Sequence, residues 1–123
     1  MLLLKNADLY APEHVGRSDV LVGGGKILAV SKGLDFRVEG LEVYDLEGKI
    51  LAPGLIDQHV HITGGGGEAG YHSRTPEITL SGIIRYGTTT VVGTLGTDGC
   101  TRSLENLYSK AKALEYEGIS TFI

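Results

Sequence analysis

Residues 88–123 carry the pattern that most narrows what this chain can fold into. The stretch "TTTVVGTL" (residues 88–95) is β-branched and reads as a buried strand. Residues 103–117 then place Leu104, Leu107, Tyr108, Ala111 and Leu114 at helical spacing, with Gly118 as the stop. Residues 119–123 open a further strand. Upstream, residues 55–62 form a mostly apolar strand, and a short helix is expected after it. Thr75 is its expected N-cap, with Pro76 at N1, Glu77 in the first turn and Gly87 as its left-handed end. Two strand–helix units and a third strand, each crossover about one helix long, imply a parallel α/β sheet. Such a sheet needs both faces covered, and a complete eight-fold barrel takes on the order of 250 residues. The 123 residues therefore read as the front part of something larger.

The first half has a different character. Residues 1–9 are a short apolar run, and residues 18–31 read as two strands joined across Gly23, Gly24 and Gly25. "EVYDLEGKIL" (residues 42–51) repeats the idea, with Val43 and Ile50 on either side of a Glu47-Gly48 turn. Strands spaced by turns, with no helical period, suggest a small β-structured module. "APG" at residues 52–54 punctuates the chain, so the expected division is 1–54 and 55–123.

Composition excludes several classes of function. Hydrophobic residues at 41% and charged residues at 21% describe a globular chain rather than a disordered one. The formal net charge is −4 and no Lys/Arg stripe occurs, which argues against nucleic acid as a partner. A single cysteine, Cys100, excludes an internal disulfide framework and suits a reducing, cytoplasmic setting. The opening Leu2, Leu3 and Leu4 are far too few for a membrane span or a signal-peptide core.

The most chemical stretch is "HVHITGGGGE", residues 59–68. Side chains alternate along a strand, so Asp57, His59 and His61 are expected on one face. Two imidazoles one step apart can converge on one metal ion, at about 2.0–2.1 Å per nitrogen. No C-x-x-C pairs are present, so other groups must complete such a site, as in catalytic metal centres. Asp57 would then act as a hydrogen-bond acceptor behind a ligand. An H-x-H pair taken alone is more often two hydrogen-bonded strand residues. Its place at the C-terminal end of a first parallel strand, where α/β folds gather their chemistry, favours the metal.

Residues 65–70 formally satisfy G-x-G-x-x-G, so a dinucleotide turn has to be considered. No helix follows directly, because His72, Ser73 and Arg74 intervene. No acidic residue ends a following strand about 20 positions on, and no G-K-[ST] completes a P-loop. Nucleotide binding is set aside. Asp98 reads as a turn or cap residue and Cys100 as a small loop residue without a base. His14 reads as a solvated loop residue. His72 and Arg74 lie near the site in sequence and serve either substrate contact or the start of the helix.

"LAPGLIDQHVHI" resembles the first barrel strand of the amidohydrolase superfamily. The longer "PGLIDQHVHITGGGGEAGYHSRTPE", followed by "GTTTVVGTLGTDG", is similar to the isoaspartyl (β-aspartyl) dipeptidases. The resemblance covers essentially the whole chain but only the amino-terminal part of the family's length. It implies the first part of a metal-dependent (β/α)8 TIM barrel preceded by a small β-sandwich module. It further implies a zinc metalloprotease acting on isoaspartyl dipeptides, with two zinc ions per site in the full-length parent. By resemblance His59 and His61 are metal ligands, while Gly66, Glu68 and Thr97 bind substrate. The expected partners are a small dipeptide and further copies of the chain, as a homo-oligomer, with no nucleic acid and no membrane. The bridging lysine, two further histidines and the general base of that family are expected beyond residue 123. The chain alone is therefore expected to be inactive. Two alternatives stay open: another amidohydrolase, dihydroorotase-like or acting on N-acyl amino acids, and a non-enzymatic oligomerising fragment.

Overall fold

The central strand of the amino-terminal part owes its position to its apolar inward positions. β1 (Leu2–Tyr10) buries Leu3, Ala7 and Leu9, and it pairs with neighbours on both sides. The computed structural model describes all residues, 1–123, and divides into two compact units, Met1–Pro53 and Gly54–Ile123. In the first unit β2 (His14–Gly23) and β3 (Lys26–Ser31) follow as antiparallel neighbours. They turn across Gly24 and Gly25, which both take positive φ.

β4 (Glu42–Asp45) and β5 (Ile50–Leu51) correct the expectation of a second strand–turn–strand repeat. Both run parallel to β1, at Leu2–Lys5 and at Asp8–Leu9. They are two pieces of one edge course, interrupted by an outward loop at Glu47 and Gly48. The physical reason lies in β1, which carries a bulge between Leu4 and Ala7 with Asn6 at φ 57°. The loop follows that bulge: the Leu46 amide donates to the Lys5 carbonyl and the Gly48 amide to the Asn6 carbonyl, each at 2.8 Å. Buried Asp19 fills the opened ladder, accepting the Asn6 amide at 2.7 Å and the Leu34 amide at 2.8 Å. A sandwich requires two packed sheets, and residues 1–53 supply one.

The second unit is a three-stranded parallel sheet in the order β6 (Leu55–Val60), β7 (Thr88–Gly93), β8 (Ser120–Phe122). α1 (Leu80–Ile84) and α2 (Leu104–Glu117) form the crossovers. α2 matches the sequence pattern: Ser103 caps it by accepting the Asn106 amide, and Gly118 ends it at φ 114°. Its buried stripe is Leu107, Ala111 and Leu114, which close on Ile62, Ile83, Val91 and Ile119. Leu104 and Tyr108, assigned to that stripe by spacing, are exposed.

The shorter helix differs from expectation. It begins at Leu80, with the Thr79 hydroxyl accepting the Gly82 amide. Thr75 is drawn off by the glycine loop, where its hydroxyl accepts the Gly65 amide at 2.8 Å. Residues 75–78 run beside residues 62–65, with the Thr75 amide bonded to the Gly65 carbonyl and that of Ile78 to the Ile62 carbonyl. Those pairings hold the stretch extended and postpone the first helical turn. No helix is long and apolar enough to cross a membrane.

Candidate functional site

His59 and His61 lie at the C-terminal end of β6, where the strand gives way to the glycine loop. Their rings stand edge to face, centroids 5.2 Å apart at 84°. His61 has one ring nitrogen committed: Nδ1 lies 3.4 Å from the Thr94 carbonyl oxygen and 3.3 Å from its hydroxyl. Such a contact fixes the ring and leaves Nε2 as the outward donor, the arrangement found where an imidazole ligates a metal. The histidine pair has no third His, Cys, Asp or Glu side chain converging on it within this chain.

Asp57 does not accompany the histidines. Between Asp57 and Val60 the strand carries one more residue than its neighbour, since Asp57 pairs with Val91 and Val60 with Gly93. The bulge breaks the alternation. Asp57 Oδ1 accepts the His59 amide at 3.1 Å. Its partner Val91 belongs to the core under the helices, and Asp57 lines a small cavity there with Val60 and Ile83.

The glycine loop is built against residues 73–76. Gly64 and Gly66 take φ of 91° and 74°. A Cβ on Gly64 would run into the Thr75 carbonyl oxygen, and one on Gly66 into that of Ser73. Most of its amides are spent internally: Gly64 N–H donates to the His61 carbonyl, Gly65 to the Thr75 hydroxyl and Gly67 to the Ser73 hydroxyl. Of the amides of Gly64, Gly65, Gly66 and Gly67, only that of Gly66 is left to meet a ligand.

Sequence reasoning missed what holds this loop. Arg102, 5% exposed, donates Nε to the Thr63 carbonyl at 3.0 Å and Nη1 to Gly66 at 3.3 Å. Its Nη2 reaches the carbonyls of Gly65 at 3.2 Å and Thr75 at 3.0 Å. An arginine one residue before a helix cap carries no pattern that a single sequence would reveal. Asp98 stands 3.8 Å from Arg102 and 2.7 Å from Arg74, which settles Arg74 in an ion pair. Asp98 also accepts the Thr101 hydroxyl and the Thr101 and Cys100 amides. The Thr101 hydroxyl above all lowers its pKa to about 2. The turn role read from the sequence is what Asp98 performs, and Cys100 is a free, exposed thiol.

Thr97 reaches the loop that carries Glu68. The Thr97 hydroxyl lies 3.4 Å from the Gly66 carbonyl oxygen. The Glu68 carboxyl is held below its ordinary value by its own backbone amide first, then by the Thr97 hydroxyl, His61 and Arg102. An ionised carboxylate, an exposed hydroxyl and one free amide thus stand beside a pair of imidazoles. His72 is exposed in a short 3-10 turn, Tyr71–Ser73, and joins none of these groups.

No family model matches the chain. A dihydroorotase from Lactobacillus leichmannii is 53% identical over 60 residues, 49% of this chain and 14% of that protein. D-hydantoinase (dihydropyrimidinase) from Thermus sp. is 27% identical in structure-based alignment, with a TM-score of 0.67 over 92% of this chain and 24% of that one. These proteins are hydrolases of the amidohydrolase kind, and the chain is similar to them. It is more specifically similar to the β-aspartyl dipeptidase of Fervidobacterium islandicum AW-1, solved in complex with a β-Asp-Leu dipeptide. Identity there is 56% and the TM-score 0.91, covering 99% of this chain and 32% of that one. The chain thus spans about a third of that dipeptidase and far less of the dihydroorotase.

Proposed function

We propose that this chain supplies part of the active site of a metal-dependent β-aspartyl dipeptidase. In that reading residues 55–123 begin a (β/α)8 barrel, and residues 1–54 are the module that precedes it. The single observation that carries it is the likeness to β-aspartyl dipeptidase over 99% of the chain. The grouping of an ionised Glu68 with Thr97 and His61 fits that likeness.

His59 and His61 are the residues that would hold the metal, zinc in this reading; the edge-to-face rings and the Thr94 contact of His61 suit two imidazole ligands. A divalent ion there supplies Lewis acidity and lowers the pKa of bound water. Two imidazoles are half of such a donor set, so the remaining ligands and the general base come from groups outside this chain. The chain's own residues bind and orient. An isoaspartyl dipeptide carries a free α-ammonium and α-carboxylate close to its scissile side-chain amide. Glu68, kept ionised, pairs with the ammonium, and the Gly66 amide donates to the carboxylate. Thr97 helps to hold the loop in register, since its hydroxyl donates to the Gly66 carbonyl and helps to keep the Glu68 carboxyl ionised.

The test is hydrolysis of β-Asp-Leu by the full-length protein that contains these residues. Glu68→Ala should raise KM about 10–100-fold, the worth of one charge-assisted pair. His59→Ala should abolish turnover, and the 123-residue chain alone should show none. A second reading, a dihydroorotase-like activity, draws on the 53% match over 60 residues. Dihydroorotate has no free ammonium, so Glu68→Ala would leave its turnover intact. Turnover of dihydroorotate with none of β-Asp-Leu would reject the dipeptidase reading.

A further inference from the structure

The glycine loop presents almost nothing but backbone to its neighbours. Four consecutive residues without side chains give an apolar residue no surface to grip, and they leave carbonyl oxygens that must be satisfied where they are buried. Arg102 answers that need. Its planar fork carries five N–H donors, and it meets the carbonyls of Thr63, Gly65 and Gly66 on one segment and Thr75 on the other, all between 3.0 and 3.3 Å. A lysine ammonium has three donors at a single point and cannot span two segments in this way.

The charge is compensated within the same cluster, because Asp98 lies 3.8 Å from Arg102 and is pinned in turn by Arg74 at 2.7 Å. A buried ion of this kind is costly compared with apolar packing, so its retention is informative where it performs a task that apolar packing cannot. The task visible here is local. The carbonyl that receives Arg102 Nη1 is that of Gly66, the same oxygen faced by the Thr97 hydroxyl. The Gly66 amide belongs to the same residue, and Glu68 lies two residues further on.

We propose that Arg102 is the positioning residue of the head-group subsite. By clamping the Gly65, Gly66 and Thr75 carbonyls it sets where the Gly66 amide and the Glu68 carboxylate stand, and so it selects substrates with a zwitterionic α-amino-acid head. This rests on the dipeptidase reading for the identity of the substrate, whereas the clamp itself is independent of it.

Two measurements on Arg102→Lys separate the ideas. In the 123-residue chain, amide exchange at Gly65, Gly67 and Thr75 should quicken about tenfold or more while α2 keeps its protection. Unchanged exchange at those three amides would overturn the clamp. If Arg102→Lys unfolds the second unit instead, Arg102→Gly supplemented with millimolar guanidinium replaces it. Restored protection at the three amides supports the proposal, and its absence counts against it. In the full-length protein, Arg102→Lys should raise KM for β-Asp-Leu about tenfold or more with kcat changed less than about threefold. An equal loss in kcat with KM unmoved would mean a general structural role and would reject the positioning role. If the unsubstituted protein does not cleave β-Asp-Leu, the dipeptidase reading fails, and the exchange measurement alone decides the clamp.

Discussion

The two units solve the same problem with opposite charges. In the first, the buried carboxylate of Asp19 gathers two backbone amides, those of Asn6 and Leu34, and so holds a β-bulge and a loop in place. In the second, the buried guanidinium of Arg102 gathers four backbone carbonyls and holds the glycine loop. A bulge frees N–H groups from the ladder and calls for an acceptor, whereas a crowded glycine loop turns its carbonyls inward and calls for a donor. The consequence for function differs as well. Nothing reactive stands on the backbone that Asp19 braces. The backbone that Arg102 braces carries Glu68 and runs close to His61, whose ring a Cβ added at Gly65 would touch. A buried charge is a stability device in both units, and in the second it also shapes a site.

The largest effect should come from removing the donor. Arg102→Ala leaves four carbonyls without their donor and Asp98 with Arg74 alone, and should lower the stability of the second unit by about 3–5 kcal/mol in urea unfolding. The first unit's transition should be unmoved. Gly66→Ala should follow at about 2–3 kcal/mol, since the new Cβ meets the Ser73 carbonyl at a positive φ. Asp19→Ala should cost the first unit about 2 kcal/mol by orphaning two amides. If Asp19→Ala loosened the glycine loop as well, the separation of the two devices would be wrong.

Acid should distinguish the units further. The folded pKa of Asp98 is about 2, below its ordinary 3.8, so its contribution is complete above about pH 4 and is lost as pH falls toward 2. Acid titration followed by the exchange of the Thr101 and Gly67 amides should show that loss, and Asp98→Asn should remove it from the profile. The smallest effect is expected at Thr63, whose hydroxyl is buried without a partner. Thr63→Val should be neutral or stabilising, within about 1 kcal/mol by thermal unfolding. A clear destabilisation would mean that the hydroxyl serves the loop after all.

Much of the fold is legible in the sequence. The spacing of Leu107, Ala111 and Leu114, the Ser103 cap and the Gly118 stop specify α2 through nearest-neighbour geometry alone, and the structure follows them. The β-branched run at residues 88–95 likewise becomes β7. The failures share one cause. Thr75 is a good cap in isolation but is claimed by Gly65, ten residues away. Asp57 alternates correctly in sequence but sits at a bulge set by pairing with β7. β4 and β5 look like a hairpin until the bulge in β1 gives both of them a parallel partner.

By itself, then, the sequence determined the parallel second unit, the turns at glycine, and the pairing of His59 with His61 ahead of a glycine loop. These depend on local periodicity, capping and backbone freedom, which act over a few residues. The tertiary structure alone decided that Arg102 grips that loop, that most of its amides are already spent, and that Asp57 turns toward the helices. Each of those depends on hydrogen bonds between segments roughly ten to forty residues apart, where a single sequence carries no distance information.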